Sequence, residues 1–175
     1  MKKLLLFFFV TLCFQGTINA QYKTFRKNVY VKFKNYENVS TELETTIDSI
    51  NFKFEPDTEN LWGIKITNNG NQKVSVLWNE AVFGAGNRQS KVIFGTDSEL
   101  LMNSEKSPEM IYPGSIISRE IDNIKNFSSS DYTEKLYRTK YLKDGVEWPV
   151  KLIVPIKKGN TQKDYTFDFL VYKQK

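Results

Sequence analysis

Histidine is absent from this chain, and cysteine occurs once, at position 13. Without imidazole and with a single thiol, the Ser-His-Asp and Cys-His constellations are excluded, as are the histidine- and thiolate-based zinc sites. One cysteine also makes no intrachain disulfide, so the fold is held by packing. Beyond the first 20 positions no apolar run approaches the roughly 20 residues a membrane helix needs. A strong excess of one charge is missing too: 25 basic residues stand against 20 acidic ones, too balanced to imply a nucleic-acid partner.

The opening residues, MKKLLLFFFVTLCFQGTINA, carry Lys2 and Lys3, an apolar stretch from Leu4 to Phe14 and a short polar segment ending at Ala20. That is the layout of a secretory signal with cleavage after Ala20. An alternative reading takes Val10-Thr11-Leu12-Cys13 as a lipoprotein signal that lipidates Cys13, although Leu12 stands where a small residue is expected. Cleavage leaves residues 21–175, one domain's length, without Lys2 and Lys3 and without the only thiol.

From Asn28 onward apolar residues alternate with polar ones, as in strands with one face in a core and one in water. Val29, Val31 and Phe33 form one such face; Ile50, Phe52 and Phe54 form another. The polar stretch 35–46 between them reads as either a loop or a short edge strand. Asn68-Asn69-Gly70-Asn71 joins the runs 61–67 and 73–79 and predicts a hairpin, with Trp62 and Trp78 as core anchors. Gly84-Ala85-Gly86-Asn87 is a second turn leading to a strand through Val92 and Phe94, and in the long loop 96–110 Leu100, Leu101 and Met102 tuck against an open sheet end. Pro113-Gly114 is turn chemistry before a strand at Ser115 to Ile121. Ser128 to Asp131 reads as a helix cap for a short helix over 132–141, the one helical feature near 130–141. Val150 to Ile156 and Tyr165 to Val171 flank Lys158-Gly159-Asn160 as a terminal hairpin, in which Pro155 must face an edge or a break. About seven or eight short strands predict an all-β, antiparallel two-sheet immunoglobulin-like β-sandwich.

The stretches IKITNNGNQKVSVLWNEAVF, MIYPGS and VPIKKGNTQKDYTFDFLV carry a resemblance. Asn68, Trp78, Asn79, Ala81, Pro113, Gly114, Pro155, Tyr165, Phe167 and Phe169 match a pattern shared by a family of small uncharacterised exported or lipid-anchored β-sandwich proteins of Gram-negative bacteria. The resemblance spans roughly residues 50 to 172 and implies a fold and a bacterial envelope setting, with no active site. Many members carry an acid where this chain has Asn79. In a bacterial protein the sequons at Asn38 and Asn126 are chance matches.

Few residues offer chemistry. Glu80 with Glu55 or Asp57 would serve as acid and base on a glycosidic bond only if a cleft brought the carboxyls to about 5–9.5 Å. Glu55, Asp57, Glu59 and Asn60 gather oxygen ligands for calcium in one loop, though at no EF-hand spacing; a solvated turn explains them as well. Gly84 to Asn87 lacks the Lys-Ser/Thr of a phosphate loop. Lys23, Arg26, Lys27, Lys32 and Lys34, interleaved with Tyr22, Phe25 and Tyr30, read as an aggregation-resistant edge strand or as a surface for an anionic partner. The expectation is an exported, non-enzymatic module, periplasmic or secreted, with a binding or structural role toward an envelope protein or glycan. No catalytic, cofactor or metal residue is assigned. The alternatives are a carboxylate-dependent glycan hydrolase and the same domain as an outer-membrane lipoprotein.

Overall fold

A computed structural model describes residues 22–23, 28–36, 42–95, 97, 103–123, 137 and 142–174. It is all-β, and its twelve strands pair antiparallel: β1 Tyr22–Lys23, β2 Val29–Phe33, β3 Leu43–Ile47, β4 Ile50–Pro56, β5 Trp62–Asn68, β6 Val74–Val76, β7 Val82–Ala85, β8 Ser90–Phe94, β9 Glu109–Ile111, β10 Ile116–Asn123, β11 Glu147–Lys158 and β12 Thr161–Lys173. One hydrogen-bonded path runs β1-β2-β12-β11-β7-β8-β10-β5-β4-β3, and a branch, β6 then β9, leaves it at β11. Among the described residues the one helical turn is a 3-10 helix at Trp78–Glu80, and no helix is long and apolar enough to cross a membrane.

The terminal hairpin is the spine of the path. β11 and β12 stay in register from Glu147↔Tyr172 to Lys158↔Thr161, and Gly159 takes φ 59° at the first central position of the two-residue turn. Pro155 sits where β11 changes partner, between Ile153↔Val82 on β7 and Ile156↔Val76 on β6. Its carbonyl accepts from Leu77 N–H at 2.9 Å on that side, so its nitrogen faces the break in the ladder, as a residue without N–H requires.

Alternation delivers the core. Phe52 and Phe54 on β4 meet Phe167 at 4.8 Å between ring centroids, and Trp62 on β5 lies 5.0 Å from Phe169 and 5.4 Å from Phe83. The two ends of the path thus face each other across an aromatic layer whose members are almost wholly buried. Each such side chain removes about 150–250 Å² from water, which makes this layer the main source of stability.

The expected hairpin across Asn68 to Asn71 does not form. β5 is paired on both edges, by β4 and β10, so β6 has no place beside it and crosses to pair with β11 and β9. The turn residues are used differently: Asn68 is buried, donates from Nδ2 to Gln72 C=O at 2.8 Å and Ile111 C=O at 3.0 Å, and accepts Gly70 N–H at Oδ1. An asparagine that satisfies the loop's own backbone makes an arch from β5 to β6 instead of a two-strand turn. Both predicted faces nevertheless point inward: Trp62, Ile64 and Ile66, and Val74, Val76 and Trp78, are all buried.

The other expectations divide. The β7–β8 hairpin forms, paired Val82↔Lys91 and Phe83↔Ser90. A Cβ on Gly84 would collide with the Arg88 carbonyl and approach Asn123 Nδ2 to 2.6 Å, so close packing fixes that glycine and no phosphate is needed to explain it. The polar stretch 35–46 runs into an edge strand, β3, paired among the described residues with β4 alone. The first basic strand is not an edge: β2 lies between β12 and β1. Beyond the expected strands, the chain adds β1 and the three-residue β9. The segment of the predicted short helix over 132–141 lies outside the described residues save Tyr137, which is buried and donates its hydroxyl to Thr58 C=O at 3.3 Å. The leader 1–20 with Cys13, the tucked residues 100–102 and both sequons also lie outside them.

Candidate functional site

Tyr112-Pro113-Gly114-Ser115 is a tight turn, closed by Ser115 N–H on Tyr112 C=O at 2.9 Å with Gly114 at φ 75°. The strands it joins do not pair with each other. β9 belongs to the branch, beside β6, and β10 to the path, beside β5, so the turn is the apex of a V. β8 reaches β10 only at Ile121, Asp122 and Asn123, which leaves the first half of β10 unpaired on that side among the described residues.

A cleft of about 330 Å³ lies between the arms, lined by Trp78, Phe94, Lys106, Pro108, Glu109 and Arg119 among others. Its charges are internally matched. Asp97 Oδ2 accepts Phe94 N–H at 2.8 Å and Lys106 Nζ at 2.6 Å; the lysine side chain is only 6 % exposed, and its ammonium sits 4.8 Å from the Phe94 ring centre. Glu109 takes Trp78 Nε1–H at 2.9 Å and pairs with Arg119, whose guanidinium lies 5.7 Å from the same ring and donates to Ser118 C=O at 2.8 Å. Two cations over one aromatic ring, each with its own carboxylate, form a neutral, hydrogen-bonded floor. Outside it, Met110, Tyr112 and Ile116 are 50 %, 55 % and 58 % exposed. Of the large apolar side chains exposed among the described residues, all but Val146 therefore cluster on this one turn.

A second, more enclosed groove of about 290 Å³ crosses the outer side of β5 at Gly63. Gly63 is flanked in register by Glu55 on β4 and Glu120 on β10, and Asp57 lines the same groove. Strands two apart put those glutamates about 9.5 Å from each other at the backbone.

The residues singled out from sequence are dispersed. Glu80 holds Gln162 Nε2 at 2.8 Å, whereas Glu55 holds Lys65 at 2.7 Å, so the anticipated pairing of Glu80 with Glu55 or Asp57 is not built; the carboxylate across from Glu55 is Glu120. In the 55–60 loop, Thr58 Oγ1 accepts Leu61 N–H at 2.9 Å, and Asp57 and Thr58 N–H both reach Leu61 C=O. Among the described residues no group of three or more acids or other metal-binding side chains comes together, there or elsewhere. Lys32 is committed to Glu147 at 2.7 Å and lies over the Tyr172 ring. Asp97, Lys106, Glu109 and Arg119 escaped the sequence reading, since they are scattered through a loop and two strands. The one linear hint was the run Met110-Ile111-Tyr112 beside Pro113-Gly114.

Ionisation elsewhere is tuned by burial and pairing. Tyr165 is pushed up to about 12 by burial, then by its hydrogen bond to Asp48, while Asp48 is lowered by hydrogen bonds from Lys163 and then Tyr165.

No protein-family model matches the chain, and no curated protein matches it. Among solved structures it is similar to the GAE domain of GGA2p from Saccharomyces cerevisiae, at 16 % identity and a TM-score of 0.35, covering 74 % of this chain and 96 % of that one.

Proposed function

We propose that this chain is an exported, non-enzymatic module, a two-sheet immunoglobulin-like sandwich that binds a partner in the bacterial envelope. The observation that carries the binding role is the cluster of Met110, Tyr112 and Ile116 on the turn between β9 and β10, beside a cleft whose charges are already paired. Exposed apolar clusters rimmed by polar groups mark interaction surfaces. The facing aromatic residues of β4, β5 and β12 support the sandwich reading. The lysine-led apolar leader supports export. Fractionation with N-terminal sequencing tests export: a mature chain starting at Gln21 is expected, and a diacylated Cys13 would make it an outer-membrane lipoprotein. Binding is tested by pull-down from envelope extract with the mature protein and with a Tyr112→Asp, Ile116→Asp double variant. A protein or glycan retained equally by both would remove the turn from the site.

The groove at Gly63 favours a second reading, a glycan hydrolase, because Glu55 and Glu120 flank it in register on either side of Gly63. Release of reducing sugar from envelope polysaccharide, abolished by Glu120→Gln, would establish it. The pairing of Glu55 with Lys65 argues against it.

A further inference from the structure

We infer that the V between β9 and β10 takes a short, extended, uncharged segment of a partner polypeptide, which adds a strand to the edge of β10 left open among the described residues and lays one apolar side chain on the Phe94 floor. This rests on the binding half of the function proposed above and not on export.

Main-chain geometry chooses the occupant. Glu120 C=O accepts Gly95 N–H at 2.9 Å on the β8 side of β10, while Ser115 C=O accepts Asn68 N–H at 3.0 Å on the opposite, β5 side. Main-chain groups of alternate strand residues point the same way, so those of Ser118 and Ile116 face the open side with Glu120. Ser118 C=O is taken by Arg119. Ser118 N–H and both groups of Ile116 remain without a partner among the described residues, past the point where β8 has ended at Phe94. A donor, then a donor and an acceptor, spaced along an extended edge, match a polypeptide backbone. A glycan does not repeat that pattern, and the tryptophan it would stack on, Trp78, is only 1 % exposed.

Charge narrows the choice further. Lys106 with Asp97 and Arg119 with Glu109 cancel within the cleft, so an incoming charge finds no counterion there and pays its desolvation uncompensated. Met110 and Tyr112 are exposed at the rim of the mouth, outside the cleft's own lining. A second copy of this chain would bring a second Arg119 to the same mouth, and a charged side chain lying along an edge is a common guard against self-pairing. A neutral foreign segment meets no such repulsion.

The experiment uses the mature chain and a phage-displayed library of linear heptapeptides, followed by synthetic versions of the enriched sequences. The expected result is uncharged peptides with apolar residues at alternate positions, whose binding slows amide exchange at Ile116 and Ser118 in the wild-type protein. Ile116→Pro removes a donor that faces the open side together with the isoleucine side chain, and Ile116→Ala shortens the side chain alone, so Ile116→Pro should weaken binding at least tenfold beyond Ile116→Ala while Ile116→Val binds as wild type. Three results would overturn the inference: no enrichment above background, enriched peptides that leave the Ile116 and Ser118 amides unprotected or bind Ile116→Pro as well as Ile116→Ala, and a wild-type dimer in sedimentation that Ile116→Pro dissociates. A cytoplasmic location would defeat the export proposal and leave the peptide result standing.

Discussion

The terminal hairpin and the V-shaped mouth are built on opposite principles. Along β12, Tyr165, Phe167, Phe169 and Val171 face inward at every second position and touch other apolar groups, so the region is held by burial without any requirement for exact partners. At the mouth, Phe94 and Trp78 serve as the platform for a set of ion pairs, each of which needs its partner in place. The hairpin tolerates exchange of one apolar residue for another of similar volume, whereas the mouth tolerates removal of charges only in pairs.

That contrast can be broken in order of expected effect. Phe169→Ala, which opens a cavity among Phe33, Phe54 and Trp62, should cost about 3–5 kcal/mol in urea unfolding, and Phe169→Leu much less. Lys106→Met strands Asp97 and should cost about 3 kcal/mol, while the double variant with Asp97→Asn should recover a large part of it; additive losses would mean that the two side chains are not coupled. Asn68→Ala leaves the Gln72 and Ile111 carbonyls and the Gly70 amide without its side chain and should cost about 2 kcal/mol, read as a fall in melting temperature.

The smallest effect is one of pH. Tyr165 ionises near 12 in the folded chain, above the ordinary value of 10, so folding favours its neutral hydroxyl. Its stabilising contribution is complete below pH 10 and is lost as pH rises from 10 toward 12. Wild type should therefore lose melting temperature relative to Tyr165→Phe across that window, and a constant difference between the two would reject the assignment.

Strand faces were legible from the sequence because period-two alternation is a local signal. Val29, Phe52, Ile64, Val154 and Phe167 all sit where alternation puts them. Pairing was legible only where a tight turn enforces it, as at Gly84 to Asn87 and Gly159-Asn160. Asn68 to Asn71 misled because an Asn-Gly pair signals a turn without saying whether the flanking strands will be neighbours, and that is settled by β4 and β10 occupying both edges of β5. The mouth was illegible for a related reason. Asp97, Lys106, Glu109 and Arg119 converge only through the positions of β8, β9 and β10, and none of them stands out in the linear chain.

The position of β12 has a consequence for how the molecule is made. This 13-residue strand leaves the ribosome well after β2, β4 and β5, yet it lies between β11 and β2 and supplies one wall of the aromatic layer. Until it emerges, β2 has no neighbour on that side, and Phe52, Phe54 and Trp62 lack the Phe167 and Phe169 rings they pack against. Closure of the layer must wait for β12, and the many contacts between distant parts of the sequence slow it further.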